Sequence, residues 1–234
     1  MRLLILSFLL ISTQLYSQDS SATALPFSKG VNLTNWFQAS SPGSIDFSKY
    51  TYEDFSDIKS LGIDVIRLPI NLHSMTLGDP DQTLDPLFLF FLDQVITWAE
   101  ELDLYLILDN HTFDPSDATD PQIGDILNPV WLQMAQHFSG RSEKILYEIL
   151  NEPHGISHNL WNSIQGDVIQ TIRSVDTTHT IIVGGADYNS YNSLSKLPDY
   201  DDNNLIYTFH FYDPFVLTHQ GASWTTPSMT DLGG

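Results

Sequence analysis

The 234-residue chain contains no cysteine and only nine lysines and arginines. The first absence excludes disulfides, thiol nucleophiles, cysteine-ligated metals and the lipidated cysteine of an anchored lipoprotein. The second, set against twenty-nine acidic residues and a net charge of -20, disfavours nucleic acid and anionic membranes as partners, since both attract basic surfaces. Also lacking is an apolar run of the ~20 residues that a membrane-spanning helix needs. The amino-terminal run at 3–11 follows Arg2 and precedes Leu15-Tyr16-Ser17, the pattern of a secretory leader and too short for an anchor. A signal peptide over 1–17 is therefore expected, with residues 18–234 secreted as one free domain, extracellular or periplasmic. No repeat or low-complexity linker divides those residues.

Two more absences narrow the fold. No glycine-rich phosphate loop follows the first predicted strand, which disfavours the open-sheet nucleotide enzymes, and no Gly-x-Ser-x-Gly elbow supports a serine hydrolase. What is present is alternation. Nearly continuous apolar runs at 30–33, 65–70, 104–108, 145–150, 180–184 and 205–211 predict six buried parallel strands. Between them, Tyr52, Phe55, Ile58 and Leu61 mark a helix that stops at Gly62. Phe88, Phe91, Leu92, Val95, Ile96 and Ala99 mark a second, started by Asp85-Pro86. A short third is predicted over 131–138, a long fourth over 160–175, and a weak fifth near 191–197. Strand and helix alternating at this interval give an α/β fold. The expected architecture is a (β/α)8 barrel of the TIM type, with about six of its eight strand-helix units in this chain.

Polar residues gather at the predicted strand ends: Asn32 and Asn35, Arg67, Asp109 and His111, Asn151 and Glu152, His210 and Tyr212. In a (β/α)8 barrel the carboxyl ends of the strands form one mouth, so these side chains converge. Glu152 stands in "YEILNEPHG" and is the last glutamate of the sequence. Pro153 disfavours helical geometry at the preceding residue, so Glu152 is expected to be extended and to project into the mouth. A carboxyl there can act as a general acid if burial or a second carboxylate keeps it protonated. Asn151 can both donate to and accept from a sugar hydroxyl. Asp109, His111, Glu152, His154 and His210 could alternatively ligate a metal, although their spacing matches no helix-borne zinc motif. No metal and no cofactor are expected.

The stretches "KGVNLTNWF", "LGIDVIRLPI", "LYLILDNH", "ILYEILNEPHG" and "LIYTFHFYDPF" resemble, in order, strands one to four and six of family 5 glycoside hydrolases, the secreted cellulase-like barrels. The likeness covers residues 27 to about 215. It implies that Glu152 is the acid/base, that Asn151 contacts the sugar 2-hydroxyl, and that Arg67 supports the catalytic carboxylates. By the same resemblance His111 lines the cleavage subsite, and His210 and Tyr212 orient the two glutamates. Trp36 is a sugar-stacking residue or a core residue, and Trp224 a weaker stacking candidate. The implied reaction is retaining hydrolysis of β-1,4-linked glucan, with a mannanase or xyloglucanase of the same family as alternatives.

One departure qualifies the resemblance. Retaining glycosidases need two carboxylates about 5–5.5 Å apart, and the family supplies its nucleophile as a glutamate on strand seven. No glutamate follows Glu152 here, and Asp213, the aspartate nearest in context, belongs to strand six. The nucleophile is therefore expected to be absent from this chain, as in a fragment of a longer enzyme or a non-catalytic carbohydrate-binding pseudoenzyme.

Overall fold

A computed structural model describes residues 25–222, apart from 79 and 113–116. The expected leader over 1–17 and Trp224 lie outside the described residues. Six strands, β1 (Gly30–Asn32), β2 (Val65–Ile70), β3 (Tyr105–Asn110), β4 (Ile145–Glu148), β5 (Ile181–Gly184) and β6 (Leu205–Thr208), form one sheet in the order β1-β2-β3-β4-β5-β6. Every pairing is parallel. A sequential order has no switch point, which excludes a doubly wound sheet. The sheet is an arc of a (β/α)8 barrel.

The helices begin where the sequence supplies caps. In α1 (Tyr52–Ser60), Thr51 accepts from the Asp54 amide while the Asp54 carboxylate accepts from the Thr51 amide at 2.7 Å, a capping box that satisfies two otherwise orphaned donors. In α2 (Pro86–Glu101), Asp85 accepts from the Leu87 amide at 2.7 Å and Pro86 fills the first position, where its missing N–H costs nothing. The helix α4 (His158–Arg173) is capped by Ser157 and buries Trp161, Ile164, Val168, Ile169 and Ile172 along one face.

Two expectations need correction. The third helix, α3, runs over Gly124–Phe138 and so starts well before Trp131. Pro129 lies inside it and removes one intrahelical hydrogen bond, but complete burial of Leu127, Val130 and Trp131 offsets that loss. Strands β4 and β6 end earlier than their apolar runs. After β6, His210 forms an isolated parallel bridge to Ser190, outside the sheet. The segment Tyr191–Lys196 is a 3-10 helix, and a last helix, α5, covers Phe215–Thr218.

Side chains alternate across the pleat. Ile66, Leu68 and Ile70 of β2, Leu106 and Leu108 of β3, Ile145 and Tyr147 of β4 and Ile181 and Val183 of β5 face the helices in the main core. Val65, Ile107, Leu146 and Ile182 point the other way and form a second apolar cluster with Phe27, Tyr105 and Ile206, the floor inside the arc. Two indoles brace the strand ends above it. Trp131 Nε1 donates to the Ile149 carbonyl at 3.0 Å and Trp161 Nε1 to the Gly184 carbonyl at 2.8 Å.

Candidate active site

One register step above the apolar floor the inward positions turn polar. Arg67 follows Val65 on β2, Asp109 follows Ile107 on β3, and Glu148 follows Leu146 on β4, with Asp109 and Glu148 directly paired across the sheet. Buried charges persist only when paired and hydrogen-bonded; each of these is paired, although Asp109 Oδ1 is buried without a hydrogen-bond partner. Arg67 Nε and Nη2 donate to the two Glu148 carboxylate oxygens at 2.7 and 2.8 Å. Its Nη2 also lies 2.9 Å from Asp109 Oδ2 and 2.9 Å from Asn151 Oδ1, and Nη1 donates to Asn32 Oδ1 at 3.2 Å. The two carboxylates raise the Arg67 pKa despite burial, which acts to lower it. Asp109 is pushed up to about 6, first by burial and then by the neighbouring charge of Glu148, against the pull of Arg67 and His111.

Above this layer opens a cleft of about 1210 Å³, lined among others by Asn32, Arg67, His111, Asn151, Glu152, Tyr188, His210 and Tyr212. The sequence-predicted residues Arg67, His111, Asn151, Glu152, His210 and Tyr212 thus come together, from β2, the segment after β3, the segment after β4, and the segment after β6. His111 Nδ1 lies 2.6 Å from Asp109 Oδ2, and its amide donates to the Ile70 carbonyl at 2.7 Å. His210 Nδ1 lies 2.5 Å from Glu152 Oε1, with both side chains mostly buried. The rings of His210 and Tyr212 meet edge-on at 6.4 Å. Burial, and then the Glu152 charge, raises the Tyr212 pKa.

Glu152 departs from the expected extended geometry. Its φ is 48°, in the left-handed region that costs a side-chain-bearing residue roughly 1–2 kcal/mol. The surrounding hydrogen bonds over-determine the turn. The Asn151 amide donates to the Asn110 carbonyl at 2.9 Å and the Tyr188 amide to the Pro153 carbonyl at 3.0 Å. His154 Nδ1 reaches the Glu152 carbonyl at 3.0 Å. Tertiary bonds to β3 and to the segment after β5 override the local preference imposed by Pro153.

Of the two readings of Trp36 the core one holds and sugar stacking does not: Trp36 lines no part of the cleft. It is 2% exposed, donates to the Asp46 carbonyl at 2.9 Å, and packs among Phe37, Phe47, Tyr50, Phe55 and Trp98. The residues of the alternative metal reading separate into pairs, Asp109 with His111 and Glu152 with His210, and among the described residues no three such side chains group as metal ligands. Two residues of the site escaped sequence reasoning. Glu148 was hidden in an apolar run, where a lone charge at an inward alternate position was the available signal. Tyr188 sits in three successive left-handed residues, Asp187 to Asn189, with its ring stacked on His154 at 4.4 Å.

The family model for Cellulase (glycosyl hydrolase family 5) matches residues 25–232. The chain belongs to this family. It is 32% identical over 216 residues to endoglucanase 3 of Fibrobacter succinogenes, covering 84% of this chain and 32% of that protein. It is 31% identical to endoglucanase C of Acetivibrio thermocellus, covering 87% of this chain and 62% of that one. The fold matches the crystal structure of Thermotoga maritima Cel5A in complex with mannotriose substrate, with a TM-score of 0.78 and 31% identity, over 86% of this chain and 66% of that one. The chain spans about a third and somewhat under two thirds of the lengths of the two curated relatives.

Proposed function

We propose that this cleft is the sugar-binding half of a secreted glycosidase that hydrolyses β-1,4-linked glucan with retention, and that Glu152 is its acid/base. The observation that carries this reading is the Glu152 carboxyl, held on Oε1 by His210 at 2.5 Å and set in the cleft beside Asn151 and Arg67. With one oxygen fixed, the other is left to protonate the departing glycosidic oxygen and later to take a proton from attacking water. Asn151 and His111 flank it as hydroxyl-binding groups. Export through the leader at 1–17 fits a polymeric substrate outside the cell.

The covalent step needs a second carboxylate about 5–5.5 Å from the first. Glu148 and Asp109 are committed to Arg67 beneath the cleft, and no glutamate follows Glu152 in the sequence. Asp213 lines the cleft but follows β6 directly. The 234-residue chain is therefore expected to bind glucan oligosaccharides without turning them over. Titration calorimetry with cellotetraose, followed by chromatography of the incubated sugar, tests both halves. Saturable binding with intact sugar supports the reading; no binding overturns the glucan assignment, and clear turnover overturns the missing-nucleophile assignment. Mannotriose in the same titration reports the choice between glucan and mannan.

A further inference from the structure

Glu152 follows β4 and His210 follows β6, and β5 runs between those two strands. Two inter-strand spacings separate strands β4 and β6 by roughly 10 Å, yet the two side chains meet at 2.5 Å. The segment after β5 touches both partners. The Tyr188 amide donates to the Pro153 carbonyl at 3.0 Å and the Tyr188 ring stacks on His154 at 4.4 Å, which ties down the turn that carries Glu152. One residue later the Asn189 carbonyl accepts from the His210 amide at 2.7 Å.

Both bonds depend on an unusual backbone. Asp187, Tyr188 and Asn189 have φ of 73°, 59° and 52°, a left-handed run that is unfavourable for any residue with a Cβ and most of all for a bulky one such as tyrosine. Strain of this kind persists only where the surroundings over-determine it. Asparagine enters this region more readily than most residues, and the side chain at 189 serves no other purpose. Asn189 is 0% exposed, and among the described residues neither its Oδ1 nor its Nδ2 has a hydrogen-bond partner. Its amide group packs against Gly184 instead, where a Cβ would sit 2.4 Å from Asn189 Oδ1 and 2.5 Å from its Cγ. Position 189 thus supplies a backbone conformation, not a polar group.

We propose that Tyr188 and Asn189 are positioning residues, whose left-handed backbone joins the Glu152 turn to His210 and so sets the hydrogen bond between those two side chains. The role of Glu152 as acid/base rests on the glycosidase reading; the clamp itself does not.

The test is amide hydrogen exchange and ring NMR of the labelled 234-residue chain without ligand, with cellotetraose titration in parallel. In the wild-type chain the Tyr188 and His210 amides are expected to exchange slowly, and the proton shared by His210 Nδ1 and Glu152 to resonate far downfield. Asn189→Gly keeps the left-handed backbone accessible and removes only the side chain, so it is expected to keep both signals. Asn189→Val places a β-branched residue in that conformation, and Gly184→Ala drives a Cβ into Asn189. Each is expected to speed exchange of the two amides roughly tenfold, the size of one strained residue, and to erase the downfield proton while the α4 amides stay protected. Gly184→Ala combined with Asn189→Gly is expected to restore both signals. Fast exchange of either amide in the wild-type chain overturns the proposal, as does an Asn189→Gly chain that behaves like Asn189→Val, or a double variant no better than Gly184→Ala. Should Asn189→Val fail to fold, Gly184→Ala against the double variant decides. Absence of cellotetraose binding by the wild-type chain overturns the glycosidase reading alone, because the exchange and ring signals are read without sugar.

Discussion

Asp109 has no access to water, and its folded-state pKa of about 6 lies above the ~3.9 of an unfolded aspartate. The folded state therefore binds a proton more readily than the unfolded state, and the stabilisation is complete only below the unfolded value. It is lost as pH rises through about 6. Unfolding free energy from urea titration is expected to fall between about pH 4 and about pH 6, and Asp109→Asn to flatten that fall. A second residue-scale constraint lies three residues after Glu152. Gly155 has φ +67°, and a Cβ there would sit 2.5 Å from the Ala118 Cβ. Gly155→Ala is expected to cost about 1–3 kcal/mol, and Ala118→Gly in the same chain to recover the steric share but not the backbone share. At this scale the motif around Glu152 was legible because Asn-Glu-Pro stands at the end of an apolar run. The left-handed turn was not, because it depends on bonds to Asn110 and to Tyr188, both distant in sequence.

At the scale of elements, caps and braces set the geometry. Thr51→Ala removes one side of the α1 capping box and is expected to lower stability by about 1 kcal/mol, measured by thermal or urea unfolding. Trp161→Phe keeps most of the apolar volume of α4 but leaves the Gly184 carbonyl without its indole donor, at an expected cost of about 1–3 kcal/mol. The starts of α1 and α2 were readable because their signals are local: a threonine or aspartate cap followed by periodic apolar residues. The start of α3 was not, since Pro129 locally argues against a helix that tertiary packing on α4 and on the end of β4 sustains. Strand ends were overrun for a similar reason. The apolar run 145–150 continues past β4 because Ile149 and Leu150 are buried in the main core beyond the ladder.

At the scale of the molecule, the succession of strand and helix was enough to predict a parallel arc with its chemistry at one rim, and the cleft lies there. Glu148 and Trp36 mark what composition and spacing could not resolve, since each sits in an apolar context and only its partners distinguish a charge buried under the site from a ring buried in the core. Among the described residues β1 and β6 are the edges of the sheet. Past β6 the rings of Phe209, Phe211 and Phe215 and the side chain of Leu217 are about half exposed or more. An exposed edge with apolar neighbours favours association. Sedimentation of the chain is expected to depend on concentration, and Phe209→Lys, outside the cleft, to reduce that dependence.

The most direct measurement is a crystal structure of the chain with cellotetraose bound. A glycosidic oxygen is expected within about 2.6–3.2 Å of the Glu152 carboxyl, with Asn151 hydrogen-bonded to a sugar hydroxyl beside it. A sugar bound elsewhere, or one in the cleft with every glycosidic oxygen beyond reach of Glu152, would contradict it.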